Sequence, residues 1–429
     1  MRASYTALVA ALIAGGALSG TASAQSMPEF KFSGFGTLGA VHSGDDTSDY
    51  KGTRFQPNGA GHTRSTSLNP DSKLGLQGTV VFNDKFSGVV QVLTQHQYDN
   101  TYKPKVEWAN LKYQINSGVS VRLGRIAAPT YLLSETRYVG YASPWVRPPA
   151  EVYNVLSITS NDGVDATWRS QIGAANNTFQ LFYGKTKAGL STNSDVKSNP
   201  NWGFNDSVEI GSLTLRAGYN SLKLDVNLPS TAGIFGGLRG LAAGLAQVPM
   251  PAFQSASAQA LALADKYKLE DMKVSAVALG LNYDPGDWFV MSEFVAFKGK
   301  GFLSDSRSWY ASGGYRFGSV TVYATYSDIK AQIESEAGIT TSGLGAVPAL
   351  AGGAAGINAG LNTTLKAFTA TQHTVSAGAR WDFMKNVALK GQFDRVKTGA
   401  ESNGYLGTYP GYVKGSSVDL VSVALDFVF

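Results

Sequence analysis

Hydrophobic and polar residues alternate along most of the chain, in segments of about ten residues separated by short polar or glycine-containing stretches. "KLGLQGTVVF" (73–82) and "SVTVYATYS" (319–327) are two examples. Successive side chains of a β-strand point to opposite faces, so this alternation predicts strands. The last segment, "SSVDLVSVALDFVF" (416–429), alternates in the same way up to its final residue. One face of it holds Val421, Val423, Leu425, Phe427 and Phe429, and the other holds Ser422, Ala424 and Asp426.

The connections between the predicted strands alternate in length. Short turns occur at 83–85, 116–118, 285–287 and 384–386. Long connections are predicted at 43–66, 127–160, 187–204, 228–271, 331–369 and 398–416, with a short strand at 205–211 after the third of them. About sixteen strands with tight turns at one end and long loops at the other are typical of outer-membrane barrels, whose sheet must close in lipid. We therefore predict an all-β fold, a transmembrane antiparallel β-barrel with short periplasmic turns and long extracellular loops. The alternative is a soluble secreted β-protein.

The first 24 residues have the features of a secretory signal peptide. Arg2 precedes the apolar run "ALVAALIAGGAL", and "Ala22-Ser23-Ala24" is a small-x-small cleavage site. The run is too short to span roughly 30 Å of hydrocarbon, which disfavours a membrane anchor as the alternative. We predict an exported chain with a signal peptide at 1–24 and one barrel at 25–429.

Composition narrows the classes of partner. The chain has 49 glycines and no cysteine, and only 16% of its residues are charged. Its formal net charge of +5 falls to +4 once Arg2 leaves with the leader, an excess too small to indicate a nucleic-acid partner. Without disulfides, stability must come from hydrogen bonds and packing.

Four segments resemble Gram-negative general porins: "FKFSGFGTLGA" (30–40), "SKLGLQGTVVFNDKFSGVVQ" (72–91), "VRLGRI" (121–126) and "ALDFVF" (424–429). The resemblance covers essentially the whole mature chain. It implies a homotrimer of sixteen-stranded barrels in the outer membrane, in contact with its lipid and lipopolysaccharide. It also implies a third outside loop folded inward as a constriction, and a final strand, ending at Phe429, that the barrel-assembly machinery recognises.

The connection 127–160 follows "VRLGRI" and combines prolines with large aromatic residues, which favours a packed shape. Opposed charges across a narrow water channel create a transverse field that sorts solutes by charge. Alternatively, the charges of this loop only solvate it or pair with one another. The four candidate constriction residues are Glu135, Arg137, Arg147 and Glu151.

Alternation also assigns charged side chains to the channel wall. Leu111 and Leu123 are expected to face lipid, and adjacent residues of a strand face opposite sides. Their neighbours Lys112 and Arg122 therefore point inward, where they avoid a cost of about 2–4 kcal/mol in the bilayer. The other wall residues are Arg216, Glu293, Arg316, Arg380, Asp382, Lys390 and Asp394. A net basic wall predicts a modest anion preference, which acidic loop residues could cancel or reverse. Arg125 breaks the parity of its strand and marks either a bulge or the rim.

Catalytic and metal-binding patterns are lacking in the sequence. His42, His62, His96 and His373 have no metal-ligand spacing, and no nucleophile motif surrounds His373. We predict no enzyme activity, no cofactor and no metal site.

The sequence therefore predicts a passive diffusion channel for small hydrophilic solutes and ions. One alternative is a porin selective for sugars, carboxylates or phosphate. A structural or adhesion barrel with a plugged lumen is another, but inward glycines such as Gly280 and Gly378 favour an open pore. Two outside segments, 231–265 and 337–366, are rich in alanine and glycine, and 255–267 has helix-forming residues.

Overall fold

The computed structural model describes residues 27–332 and 335–429, so the predicted signal peptide lies outside the described residues. Sixteen long antiparallel strands form one closed sheet, as predicted. In chain order they are β1 (Glu29–Ser43), β2 (Lys73–Val81), β3 (Phe86–Gln95), β4 (Lys105–Gln114), β5 (Val119–Ala127), β6 (Ser160–Ile172), β7 (Ala175–Ser191), β8 (Ser194–Ile210), β9 (Leu213–Asn227), β10 (Met272–Tyr283), β11 (Trp288–Lys298), β12 (Ser306–Phe317), β13 (Val320–Ala331), β14 (Thr371–Met384), β15 (Val387–Thr398) and β16 (Ser417–Val428).

The barrel closes where β1 pairs with both β2 and β16. Just beyond β16, the N–H of Phe429 donates to the carbonyl oxygen of Gly34 at 3.0 Å, and the N–H of Gly34 donates back at 2.9 Å. A Cβ atom on Gly34 would lie 2.3 Å from the Phe429 ring, so this close approach requires glycine. No strand edge is left open at this seam, which satisfies the backbone in lipid.

The two faces of the sheet follow the predicted alternation. On β16, Leu420, Ser422 and Asp426 are buried inside the barrel, whereas Val421 and Val423 are exposed on the outside. Outward apolar side chains such as these recur on the other strands and form the surface that meets lipid.

The predicted long connection 187–204 is wrong. β7 and β8 continue through this segment and leave only a two-residue turn between Ser191 and Ser194. Pro200 interrupts the alternation in the sequence, and the sheet accommodates it by a register shift between Ser198 and Asn201 opposite β9. The predicted short strand 205–211 is therefore the end of β8.

Short elements form part of the long connections, at the barrel end opposite the turns 83–85, 116–118, 285–287 and 384–386. The two-residue β7–β8 turn is at the same end as the long connections. Three short strands, Ser48–Tyr50, Ala60–Gly61 and Gly407–Thr408, form a second sheet, and Thr66–Ser67 pairs with β1. The helices are α1 (Ala150–Tyr153), α2 (Ala232–Ala246), α3 (Pro251–Lys266) and α4 (Pro348–Phe368). In the described part of the chain, none of the helices has the length and apolar character needed to cross a membrane.

Helices α2, α3 and α4 share a hydrophobic cluster of their own, which we call the helical cap. Leu238, Leu245, Phe253 and Leu361 are fully buried in it. The predicted helical segment 255–267 is confirmed over residues 255–266, which lie in α3, and Tyr267 follows the helix as its C-cap. The alanine- and glycine-rich loops are thus folded structures.

Candidate functional site

The loop between β5 and β6, residues 128–159, lies inside the barrel, and we call it loop L3. Its buried Trp145 donates from Nε1 to Ser312 Oγ on β12 at 2.9 Å and to Thr325 Oγ1 on β13 at 3.0 Å. The N–H of Val146 donates to Gln392 Oε1 on β15 at 3.0 Å. These bonds reach inward-facing side chains of three strands, so this part of L3 lies flat against one wall of the lumen.

Glu293 on β11 holds the beginning of L3. Its buried carboxylate accepts from the N–H of Leu132 at 2.6 Å, from the Tyr153 hydroxyl, and from the Tyr310 hydroxyl at 3.2 Å. Sequence parity placed Glu293 on the inner wall, and the structure places it there, beneath the loop. It faces L3 rather than open water.

Lys390 on β15 binds the middle of L3. Its Nζ donates to the carbonyl oxygens of Gly140 at 2.7 Å and of Ser143 and Trp145, both at 2.8 Å. It also lies 2.7 Å from Asp426 Oδ2 on β16, and both side chains are fully buried. A flexible ammonium with three donors suits convergent carbonyls.

Arg380 on β14 makes a second contact of this kind. Its Nη1 donates to the carbonyl oxygen of Tyr141 at 2.6 Å, and its Nη2 lies 2.7 Å from Asp382 Oδ1. Arg380 and Asp382 are both inward, as predicted, and form an ion pair on the same strand. Arg380 therefore serves as another attachment point for the loop.

Arg147 forms a buried clamp between L3 and the closing strands. Its guanidinium contacts both Asp71 oxygens, at 2.8 and 2.6 Å, Asp394 Oδ2 at 2.7 Å and Ser422 Oγ at 2.6 Å, and it stacks over the Tyr50 ring. Burial alone would lower the pKa of Arg147, but the carboxylates raise it above its ordinary value, so the clamp stays charged. The expectation that Arg147 faces the channel is not met, because these carboxylates hold it in the wall.

Glu151 is likewise buried and outside the channel. Its carboxylate accepts from Ser327 Oγ and Gln372 Nε2, both at 2.6 Å, and from Thr374 Oγ1. It lies in α1, which packs against β12 to β14. The expectation that Glu151 faces the channel is not met, because Glu151 is 1% exposed and neutral donors of the wall hold its carboxylate.

The remaining two candidates of L3 are less buried. Arg137 donates to the carbonyl oxygen of Tyr153 at 3.2 Å and lies over the rings of Tyr138 and Tyr153. Glu135 has a side chain that is 56% exposed, and its Oε1 lies 3.3 Å from Arg122 Nη1. Among the four predicted loop charges, Glu135 is the one that faces the opposite wall.

A cavity of about 320 Å³ separates L3 from the inner faces of β4 to β9. Its charged lining consists of Lys112, Arg122, Arg169, Arg216 and Glu135. Its other lining groups are mainly hydroxyls and amides. Four cations and one exposed carboxylate therefore meet across this space.

Buried partners orient two of these cations. Arg122 Nε lies 3.0 Å from both oxygens of Asp165, whose side chain is 0% exposed and also accepts from Gln180 Nε2 at 2.6 Å. Arg216 Nη2 donates to the carbonyl oxygen of Pro129 at 2.9 Å. Arg122 and Asp165 neutralise one another, so the positive charge of the cavity surface comes from Lys112, Arg169 and Arg216.

Two other charged positions lie away from the cavity. Arg316 on β12 pairs at 2.7 Å with Asp284. Asp284 lies in the turn between β10 and β11, at the end of the barrel remote from L3. Arg125 Nε lies 2.7 Å from Asp162 Oδ1 near the loop end of β5. Of the two predicted alternatives, a bulge or the rim, this position is the rim, since the pairing with β4 has no register shift there.

Four residues of this arrangement were not predicted: Asp71, Asp165, Arg169 and Asp426. Parity alone could have found Asp165 and Arg169, which share the inward face of β6 with Thr167. Asp426 lies on the predicted inward face of β16. Asp71 lies in a connection without periodicity, so no pattern pointed to it.

A family model described as "Gram-negative porin" matches residues 7–401. The chain belongs to this family. The porin fold accounts for the closed sheet, and the molecule is an outer-membrane diffusion channel whose tight turns face the periplasm. No curated protein matches the sequence significantly.

Solved structures share the fold of this porin at low sequence identity. The anion-selective porin from Comamonas acidovorans is 14% identical with a TM-score of 0.52, over 94% of this chain and all of that one. Salmonella typhi OmpF in complex with daunomycin is 12% identical with a TM-score of 0.51, over 93% and 97%. Vibrio cholerae OmpT in its trimer form is 11% identical with a TM-score of 0.51, over 94% and 100%.

Proposed function

We propose that this porin is a general diffusion channel for small hydrophilic solutes and ions with a preference for anions, and that anions pass L3 along the basic wall. One observation carries the proposal. The cavity beside L3 is lined by Lys112, Arg122, Arg169 and Arg216 on the wall, against Glu135 on the loop. Charges of one sign along a narrow aqueous path raise the local concentration of the opposite ion.

The buried clamps support this assignment. Asp71 and Asp394 compensate the charge of Arg147 in the wall. Glu151 is buried and held by hydroxyl and amide donors, so its carboxylate does not line the cavity. Lys112 and Arg169 form none of the ion pairs found within 27–332 and 335–429, so their charges act on the lumen. The Comamonas relative is described as anion-selective, which agrees with the proposal.

Further features are proposed on the family resemblance. The mature chain begins at Gln25 and forms one barrel with L3 as its constriction, acting without cofactor or catalysis. Three copies associate, as in the trimer form of Vibrio OmpT. The strand that ends at Phe429 is recognised by the barrel-assembly machinery, and the outer rim contacts lipopolysaccharide.

Reversal potentials in planar bilayers under a KCl gradient test the anion preference. We expect Lys112→Gln/Arg169→Gln to shift the chloride-to-potassium permeability ratio toward unity, because it removes two lumen charges that hold no carboxylate in place. Lys187→Gln/Lys197→Gln, on the outer face of β7 and β8, is the matched control and should leave the ratio unchanged. Equal ratios for all three proteins would exclude the basic wall as the source of selectivity.

A further inference from the structure

Two cations lie directly opposite one another on the outer face of the barrel. Arg307 on β12 pairs in register with Lys330 on β13, near the loop end, and both side chains are exposed. Directly opposite residues of an antiparallel pair have Cβ atoms about 4.5–5.5 Å apart, and like charges in such a position repel. Among the ion pairs of the described residues, none involves Arg307 or Lys330. An external anion bound by both would relieve the repulsion.

The cationic surface continues onto the next two strands. Lys330 is opposite Thr371 on β14, and His373, two residues on, is opposite Lys397 on β15. Lys397 is exposed and, like Arg307 and Lys330, forms none of the ion pairs within the described ranges.

The carboxylates nearest this surface in the described ranges form no ion pair with Arg307, Lys330 or Lys397. Asp305 is held by Lys298 and by the N–H of Gly299, at 3.0 Å. Asp328 lies on the same outer face, two residues from Lys330 and opposite Trp309 and His373. It is buried, forms no ion pair among the described residues, and offsets one of the three positive charges. Asp419 lies 3.8 Å from Arg395 on the membrane side of Lys397.

Aromatic side chains lie directly on the membrane side of the cations. Trp309 is two residues from Arg307, and its ring centroid is 5.3 Å from that of Tyr326. Tyr326 stacks with His373 at 6.0 Å. Tryptophan and tyrosine with one polar edge favour the head-group level of a membrane. The cations therefore lie where lipid phosphates lie.

Two other like-charged pairs on the outer face differ from this one. Lys187 and Lys197 are directly opposite, but Asp195 lies 3.5 and 4.0 Å from them. Lys223 and Lys273 are also opposite, and Lys223 lies 2.7 Å from Asp271. Each of these pairs has its own carboxylate. Among the described residues, the Arg307–Lys330 pair has no carboxylate in an ion pair with it, so an external anion can supply the counter-charge.

We propose that Arg307, Lys330 and Lys397 form a binding site for the phosphate head group of an outer-leaflet lipid, with Trp309 and Tyr326 against its upper acyl region. The guanidinium of Arg307 can bind a phosphate through two N–H groups, and the lysines act as point charges. The site gives the proposed contact with lipopolysaccharide a defined location. It rests on that proposal but is independent of ion selectivity, which is measured separately.

Native mass spectrometry of the purified full-length protein, titrated with bisphosphorylated lipid A, tests the site. We expect lipid A to bind more tightly than phosphatidylcholine, and Arg307→Gln/Lys330→Gln to weaken lipid A binding about thirtyfold. The charge-conserving Arg307→Lys/Lys330→Arg should retain most of the binding. The matched control Lys187→Gln/Lys197→Gln removes the same charge from a pair that has its own carboxylate, so it should change binding little.

Three outcomes would overturn the proposal. The first is an equal loss in the control, which would assign the binding to general rim charge. The second is full binding by Arg307→Gln/Lys330→Gln with the fold intact, as judged by retention of the compact form on unheated gels. The third is displacement of lipid A by inorganic pyrophosphate at equal concentration, which would make the site one for soluble phosphates.

Discussion

Lys390 Nζ lies 2.7 Å from Asp426 Oδ2, and neither side chain is accessible to solvent. The same ammonium donates to three backbone carbonyl oxygens of L3, those of Gly140, Ser143 and Trp145. One side chain thus joins the closing strands of the barrel to the loop that narrows it. A buried ion pair adds little net stability, but removal of one partner leaves an uncompensated charge.

Lys390→Met should therefore destabilise the folded barrel by about 3–5 kcal/mol and release the middle of L3. Denaturant unfolding in lipid vesicles measures the first effect, and low-frequency noise in single-channel current measures the second. Lys390→Met/Asp426→Leu removes both charges and should recover much of the lost stability but leave the noise. If Lys390→Met is as stable as the wild type and shows the same low-frequency current noise, Lys390 does not hold L3 in place.

Arg147→Lys tests the clamp formed with Asp71 and Asp394. Lysine keeps the charge but cannot reach two carboxylates and a hydroxyl at once, so we expect a loss of about 1.5–3 kcal/mol in the free energy of unfolding. Arg137→Lys is the matched control in the same loop, since Arg137 makes one hydrogen bond to a backbone carbonyl. Comparable losses of unfolding free energy in both variants would show that the Arg147 clamp stabilises the fold no more than the Arg137 contact does.

Glu135→Gln should increase anion preference. The exposed Glu135 carboxylate lies 3.3 Å from Arg122 and offsets part of the basic wall, so its removal raises the net positive charge of the cavity lining by one. The reversal potential under a KCl gradient should move further toward that of chloride. Glu401→Gln, which removes a similarly exposed carboxylate paired with Lys366 in an outer loop, should cause no shift.

Acid should loosen the contact between the loops that carry α3 and α4. Glu336 Oε2 lies 2.6 Å from Lys266 Nζ and 2.7 Å from the Tyr267 hydroxyl. Although partial burial opposes it, these hydrogen bonds lower the pKa of Glu336, and burial raises the pKa of Tyr267 to about 12. A carboxyl with a lowered folded-state pKa stabilises the fold above its unfolded pKa, and this contribution is lost as pH falls through the folded value.

Amide hydrogen exchange of 262–267 and 335–340, corrected for intrinsic rates, should therefore increase below about pH 4. Glu336→Gln should exchange faster than the wild type at neutral pH and show less change on acidification. Exchange that stays constant in the wild type from pH 7 to pH 3 would contradict the assignment.

Leu245→Ala should unfold the helical cap without unfolding the barrel. Leu245 is fully buried among α2, α3 and α4, and such a truncation costs about 2–5 kcal/mol. Limited proteolysis should cleave within α2 to α4 faster, with the barrel core resistant. Leu261→Ala, at an exposed position of α3, is the control and should not change the cleavage rate.

The barrel could be predicted from the sequence because a strand shows its two faces in consecutive residues. Leu111 with Lys112, and Leu123 with Arg122, are on the predicted sides, since a shift of one residue would move every side chain to the other face. The same rule failed where Pro200 and polar neighbours concealed the alternation of β7 and β8. Pairing with the neighbouring strands keeps this segment in the sheet although its own sequence lacks the alternation.

The partners of L3 could not be predicted in the same way. Parity placed Lys390 and Glu293 on the inner wall, but which loop atoms they meet depends on the path of 32 residues without periodicity. Inward glycines were interpreted as evidence of open space. The position of Gly280 instead leaves room for Leu132 of L3, 3.5 Å from where a Cβ atom would lie.

The reversal potential of the wild-type channel under a KCl gradient is the most direct test of the central claim. If anions pass along Lys112, Arg122, Arg169 and Arg216, the zero-current potential will have the sign of chloride-selective conduction. It will fall toward zero as salt screens the wall. A potential of the sign for potassium, at low as well as high salt, would contradict the account.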